Sequence, residues 1–427
     1  MERYKEYKSS KVYWISEVPK SWQQIKISRI FHSIGSGTTP SSGDNTFYVD
    51  EGINWLQSGD FKDNCVYSTT KKISEAAINR YGLKLYPENA IVLAMYGASI
   101  GKVGFLKIKT TVNQACCVLY DSPIMDIHYA FYSLISEKDN LIRKSKGGTQ
   151  PNISQELIKG HYLAVPPLAE QKQIVRYLED KTSKIEAYVS EKEKEILLLQ
   201  ELKQKTIADA VTKGLNPDVK TKDSGISWIG EIPEHWETKR VASFFTGKVE
   251  TNLDFFYKHA FKFYYGTLVP KNEVGDEDEY RETYVKYSVI HKDDILINGL
   301  NLNYDFVSQR VAIAPSDGII TSAYIVVRPR NGTNALYYNY LFKAMDSMKL
   351  FHGMGTGIRL TLSYDELKKQ VIVVPPADEQ RAIVSYIEEK CQKIDSLTTE
   401  LQSEIDYLKE YKQRLIADCV TGQVNVQ

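Results

Sequence analysis

The sequence predicts an α+β protein with two globular domains separated by a long antiparallel coiled coil, the coil being formed by two repeated helices related by a pseudo-twofold. Three observations carry this. The opening KSSKVYWISEVPKSW (8–22) recurs as KDSGISWIGEIPEHW (222–236), so Trp14, Pro19 and Trp22 match Trp228, Pro233 and Trp236. A longer stretch beginning PPLAEQ (166–212) recurs without a gap at 375–421, beginning PPADEQ, and about half of its positions are identical. Between these matched edges, over 32–147 and 246–356, the two halves share no register. A unit written twice with constant edges and different middles reads as one architecture used for two purposes. The edges meet the same partner or each other, and the middles meet different things.

At 427 residues the chain is long enough for two or three domains, each with its own core. Lysine and arginine number 54 against 54 aspartates and glutamates, and this neutrality argues against a protein that binds polyanions over its whole surface. The charge is not evenly spread: residues 1–165 are net +5 and residues 375–427 net −4. Five cysteines without CxxC spacing read as reduced, mostly buried thiols. The polar start MERYKEYKSS lacks the apolar core of a signal peptide, and no apolar run approaches bilayer-spanning length. The expectation is a cytoplasmic protein with no membrane partner.

Taken in order, residues 1–165 form the first head. AIVLAM (90–95) and ACCVLY (115–120) read as strands and HYAFYSLIS (128–136) as a helix. MYGASIGKVG (95–104) invites comparison with a phosphate-gripping loop. A Walker A loop needs four residues between its first glycine and the Gly-Lys pair, then a hydroxyl. Only Ala98, Ser99 and Ile100 separate Gly97 from Gly101, and Val103 follows Lys102, so the segment reads as a tight strand-to-strand turn. Residues 166–213 form the first helix, with a seam through Ile174, Leu178, Ile185, Leu199 and Leu202. Residues 214–374 form the second head, with strands at DILIN (294–298), VAIA (311–314) and AYIVVRP (323–329) and a helix at ALYYNYLFKAM (335–345). Residues 375–427 form the second helix, with a seam through Ile383, Ile387, Ile394, Leu397, Leu401, Leu408 and Leu415. Each double proline fixes a helix start, and a helix of about 45 residues reaches about 65 Å at 1.5 Å per residue.

Head, PP-x-x-EQ helix, head, PP-x-x-EQ helix resembles, end to end, the specificity subunit of type I restriction-modification enzymes. The resembling phrases are DSGISWIGEIPEHW, IVLAMYGASIGKVG with Asn113-Gln114 downstream, KGGTQPNIS before LAVPPLAEQ, and GTGIRLTLS before VIVVPPADEQ. The second head departs from the pattern, offering LINGLNLNYDFVSQRVAI (296–313) where the first has its GASIGKVG phrase. The resemblance implies two target recognition domains, each reading one half of a bipartite, asymmetric sequence in double-stranded DNA. It implies helices that dock two methyltransferase subunits using S-adenosylmethionine, joined by restriction and motor subunits that use ATP and Mg. It implies no catalysis, cofactor or metal on this chain.

The residues read alone point the same way. No HExxH, GxSxG, Gly-rich cofactor fingerprint or Asn-Pro-Pro-aromatic motif is present, and the seven histidines are scattered singly. DNA reading needs cations for phosphates and Asn, Gln, Arg or Lys for base edges. In the first head the candidates are Lys102, Asn113, Gln114 and the loop with Arg143, Lys144, Lys146, Thr149 and Gln150, where Gly147 and Gly148 would let backbone amides approach a phosphate. In the second head they are Asn298, Asn301, Asn303, Tyr304, Gln309, Arg310 and Arg359. The alternative is a coiled-coil adaptor whose two heads bind proteins or peptides.

Overall fold

The computed structural model describes residues 2–44, 46–145, 151–247, 250–271, 277–304 and 309–426. Lys146, Thr149 and Gln150 lie outside the described residues. The chain divides into two compact units, one of residues 1–192 with 403–427 and one of residues 193–402.

In the first unit, five strands form the main sheet of the head: β1 (Ser33–Ser36), β2 (Asn64–Val66), β3 (Ile91–Ala94), β4 (Val103–Leu106) and β5 (Cys116–Tyr120). Their order is β1-β5-β3-β4-β2, antiparallel except for the parallel β4–β2 pair. Every residue of β3 and β4 is buried, so these strands read as continuous apolar runs instead of alternating. Helix α1 (Ile127–Ser136) follows β5, capped by Asp126, whose carboxylate accepts the His128 and Tyr129 amides at 2.9 and 3.2 Å. Tyr129 and Leu134 of α1 enter the core beside Leu93 and Phe105. A strand at Tyr162–Val165 pairs antiparallel with Gln23–Lys26 and leads into the long helix α2 (Leu168–Lys213).

The second unit holds β6 (Phe245–Thr246), β7 (Ile295–Ile297), β8 (Val311–Ile313) and β9 (Ile325–Pro329), in the order β6-β9-β7-β8 and wholly antiparallel. This is the topology of β1-β5-β3-β4. Helix α3 (Ala335–Ser347) follows β9 as α1 follows β5, and Val371–Val374 pairs with Glu237–Arg240 before the second long helix α4 (Ala377–Val420). The heads therefore share a fold through the region where their sequences share no register. A buried sheet asks only for apolar residues of suitable size, and the connections between equivalent strands differ in length, which erases any alignment.

The repeated edges meet each other. Within the first unit Trp22 Nε1 donates to Glu170 Oε1 at 3.0 Å, and within the second Trp236 Nε1 donates to Glu379 Oε2 at 2.9 Å. Gln171 Nε2 closes back on the Pro166 carbonyl at 2.8 Å, and Gln380 Nε2 on that of Pro375 at 2.9 Å. The Glu and Gln of PP-x-x-EQ thus seat the head and lock the helix start. The helix ends complete the clasp. Gly422, at φ 75°, lies against Pro19 and Trp22, and Gly214, at φ 77°, against Trp236. The Tyr129 hydroxyl donates to the Val420 carbonyl at 3.0 Å, and its counterpart Tyr337 to that of Val211 at 2.7 Å.

Along the long helices Ile174, Leu178, Ile383, Ile387, Ile394, Leu401 and Leu415 are buried, and Ile185, Leu199 and Leu408 half-buried. Leu202 and Leu397 depart from the expected seam, being 50% and 48% exposed. The inward row of α4 runs 387, 391, 394, 398, 401, 405, 408, 412, 415, and that of α2 passes through 189, 192, 196, 199 and 203. It includes Thr398, Lys412, Lys192 and Lys203, which apolar spacing alone skips over. The lysines are matched by carboxylates of the facing helix. Lys412 pairs with Glu186, Lys192 lies 3.8 Å from Glu404, and Lys203 lies 2.6 Å from Asp395. In the first unit, rising numbers on α2 meet falling numbers on α4, so the helices run antiparallel there.

Candidate nucleic-acid interface

Among the described residues, Lys102 and Gln114 of the first head and Asn298, Asn301, Asn303, Tyr304, Gln309 and Arg310 of the second lie at one end of the main sheet, where β3 is joined to β4 and β7 to β8. GASIGK joins β3 to β4 as a turn: the Gly101 amide donates to the Ala94 carbonyl at 2.8 Å and the Lys102 amide to that of Ser99 at 3.0 Å. Gly97 and Gly101 have φ of 83° and 75°, a region open to glycine and strained for other residues. A strand follows instead of a helix, so no helix N-terminus faces a phosphate. Beside the turn stand Gln114, at the start of β5, and Thr39, just beyond β1, whose side chains are hydrogen-bonded to each other. The Tyr96 hydroxyl lies near the Gln114 side chain. The segment before the next short helix is pinned alongside, with the Ile153 amide donating to the Met95 carbonyl at 2.8 Å and Ser154 capping that helix through the Leu157 amide.

The second head builds the same end with different side chains. The β7–β8 connection carries Asn298, Asn301, Asn303, Tyr304, Gln309 and Arg310, and Arg359 comes from the loop before the short helix Tyr364–Leu367. The two segments are stitched together: the Leu362 amide donates to the Gly299 carbonyl at 2.9 Å and the Leu302 amide to that of Leu360 at 3.0 Å. A Cβ at Gly299 would collide with the Leu362 carbonyl, which explains this close approach. Asn303, Tyr304, Gln309 and Arg359 are exposed on the resulting surface. Next to them, Tyr264 and Tyr265 line an open depression of about 280 Å³ with Asn298, Gln309 and Arg310.

Three candidates are committed to the fold. Asn113 is buried, and its side-chain oxygen accepts the Ala115 amide at 3.1 Å, so it shapes the turn into β5 and does not face a base. The Arg310 guanidinium donates to the carbonyls of Asn298, Leu300 and Asn301 at 3.0, 2.7 and 3.3 Å and thereby sets the loop's shape. Lys144 lies 3.6 Å over the Trp14 ring, which stacks on the buried His161, itself 2.9 Å from Glu137. Desolvation pulls Lys144 below the ordinary lysine value, with Glu137 opposing it. Arg143 is exposed at the end of its short helix.

Ile358, Tyr264, Tyr265 and Thr39 stand at the same end of the heads and are not among the sequence candidates. The legible signal for Ile358 is an aliphatic residue inside the turn-forming string Gly355-Thr356-Gly357-Ile358-Arg359. Burial pushes the Cys117 and Cys419 thiols up to about 12, which keeps them protonated and unreactive at neutral pH. Among the described residues no cluster of His, Cys, Asp and Glu could hold a metal ion, and no helix is long and apolar enough to cross a membrane.

The family described as the type I restriction modification DNA specificity domain matches the chain twice, over residues 19–197 and 233–407. The chain belongs to this family. It is a specificity subunit of type I restriction-modification, and DNA target recognition is its role. The MjaVIII specificity subunit of Methanocaldococcus jannaschii is similar over the whole length, at 24% identity across 100% of this chain and 98% of its own. The EcoBI specificity subunit of Escherichia coli is 21% identical over 81% of this chain and 76% of its own. A solved chain from work on complex assembly and conformational transition of the type I R-M system shares the fold. Its TM-score is 0.67, at 14% identity over 95% of this specificity subunit and 99% of that chain.

Proposed function

We propose that this specificity subunit is a non-catalytic reader of a bipartite, asymmetric DNA target. The first head (1–165) reads one half-site and the second (214–374) the other. The helices of 166–213 and 375–427 dock two methyltransferase subunits, which bring S-adenosylmethionine and through which restriction and motor subunits using ATP and Mg join. One observation carries this reading: both heads present the same end of the same sheet, but with Lys102 and Gln114 in one and Asn303, Tyr304, Gln309 and Arg359 in the other. Identical clasps with divergent tips are what two independent half-sites require. Names of relatives such as the MjaVIII and EcoBI specificity subunits support the same assignment.

Methylation mapping of a host carrying the intact system tests it. The expected result is one split motif, with modified bases in both halves and different sequences on the two sides. In vitro, the subunit assembled with its methyltransferase partner should bind that duplex with an affinity that falls steeply as salt rises. Salt-insensitive behaviour, with no DNA preference, would support the adaptor reading in its place.

A further inference from the structure

The tip of the loop before Tyr364 carries a side chain that polar recognition leaves unexplained. Ile358 is 99% exposed. It stands between Gly357, at φ 76°, and the exposed Arg359, in a four-residue turn closed by the Thr356 and Thr361 backbones, which exchange hydrogen bonds of 3.1 and 2.9 Å. The turn is not loose. Leu360 holds φ at 43°, an unfavourable region for a branched side chain, while its carbonyl is fixed by the Leu302 amide. Gly355 packs against Leu360 and Leu302, so the tip is tied to the loop that presents Asn303 and Tyr304. Resting on the reading of this end as a DNA surface, we infer that Ile358 recognises the 5-methyl group of a thymine in the major groove.

The chemistry selects that partner. In an intact, unmodified duplex the apolar faces of the bases are covered by stacking, and the groove edges offer donors, acceptors and one hydrocarbon group, the thymine methyl. Covering a methyl with an aliphatic side chain removes both from water. Isoleucine suits the task, because β-branching restricts χ1 and the clamped turn leaves little backbone freedom to lose on binding. Arg359, one residue on, has the reach to fix the adjacent base or phosphate.

The test uses the subunit assembled with its methyltransferase partner and duplexes of the mapped target, in which each thymine is replaced singly by deoxyuridine. The two differ only in the methyl. For the unaltered protein, one replacement should weaken binding by about fourfold, the worth of one buried methyl group. Ile358→Ala should bind the thymine and deoxyuridine duplexes equally at that position while keeping its response at all others. The inference is overturned if no thymine is methyl-sensitive or if Ile358→Ala keeps the sensitivity. It is also overturned if 2-aminopurine at a base step brightens in an Ile358-dependent way, since the side chain would then be an unstacking wedge, or if Ile358→Asp blocks assembly with the methyltransferase. Asn303→Ala and Arg359→Ala separate this from failure of the underlying reading. If neither alters DNA binding, this end of the sheet is not the DNA surface. If both do and deoxyuridine does not, only the role of Ile358 falls.

Discussion

Trp22 and Trp236 each spend an indole N–H on a carboxylate at the first turn of a long helix, and Glu170 is itself buried. Trp22→Phe leaves that carboxylate without its donor and shrinks a fully buried ring. The expected cost is about 1–3 kcal/mol for the lost donor plus a cavity contribution, read by chemical denaturation, with the mapped target unchanged. The clasp glycines make a paired test. Both have positive φ, but a Cβ at Gly422 collides with the Pro19 ring, whereas at Gly214 it meets only the edge of Trp236. Gly422→Ala should therefore lower the melting temperature more than Gly214→Ala, and equal effects would show that the collision relaxes freely. Asn113 and Arg310 mark what single-residue reading misses. Side-chain type is legible in a sequence, but whether an amide or guanidinium faces outward or serves a turn depends on which carbonyls the fold brings within reach.

At the scale of elements, the two helices and their starts were legible because double prolines and a long repeat are local signals. The seam was legible only in part. Its inward row accepts Thr398, Lys192, Lys203 and Lys412, the lysines being matched by carboxylates across the interface. A polar seam residue fixes register at some cost in stability, and counting apolar residues moves the stripe to Leu202 and Leu397 instead. A contrast of two variants checks the assignment. Ile405, 1% exposed, changed to Asp buries an unpaired charge and should cost about 3 kcal/mol or more. Leu397→Asp should leave the melting temperature nearly unchanged. The repeated edges announced two copies of one unit, but the strand-by-strand likeness of the two middles was illegible. It resides in strand order β1-β5-β3-β4 against β6-β9-β7-β8, which depends on long-range pairing and imposes no fixed residue at any position.

For the molecule as a whole, near-zero net charge places the burden of DNA affinity on local surfaces. Arg143→Ala and Arg359→Ala should each flatten the salt dependence of binding by about one unit of log–log slope if the residue meets a phosphate. Base-reading changes should act separately on the two halves of the target. Gln114→Ala is expected to relax one half-site and Asn303→Ala the other, as read by methylation mapping. Relaxation of both halves by either change would contradict the one-head, one-half assignment.

The clasp has a consequence for inheritance. Its tryptophan, glutamate, glutamine and glycine recur in both copies, so the core of the grip is the same for either head. A genetic crossover within the stretches encoding 166–212 and 375–421 would trade one head for a foreign one and leave these shared grips intact. Such an exchange should alter the target while keeping the clasp that seats the new head.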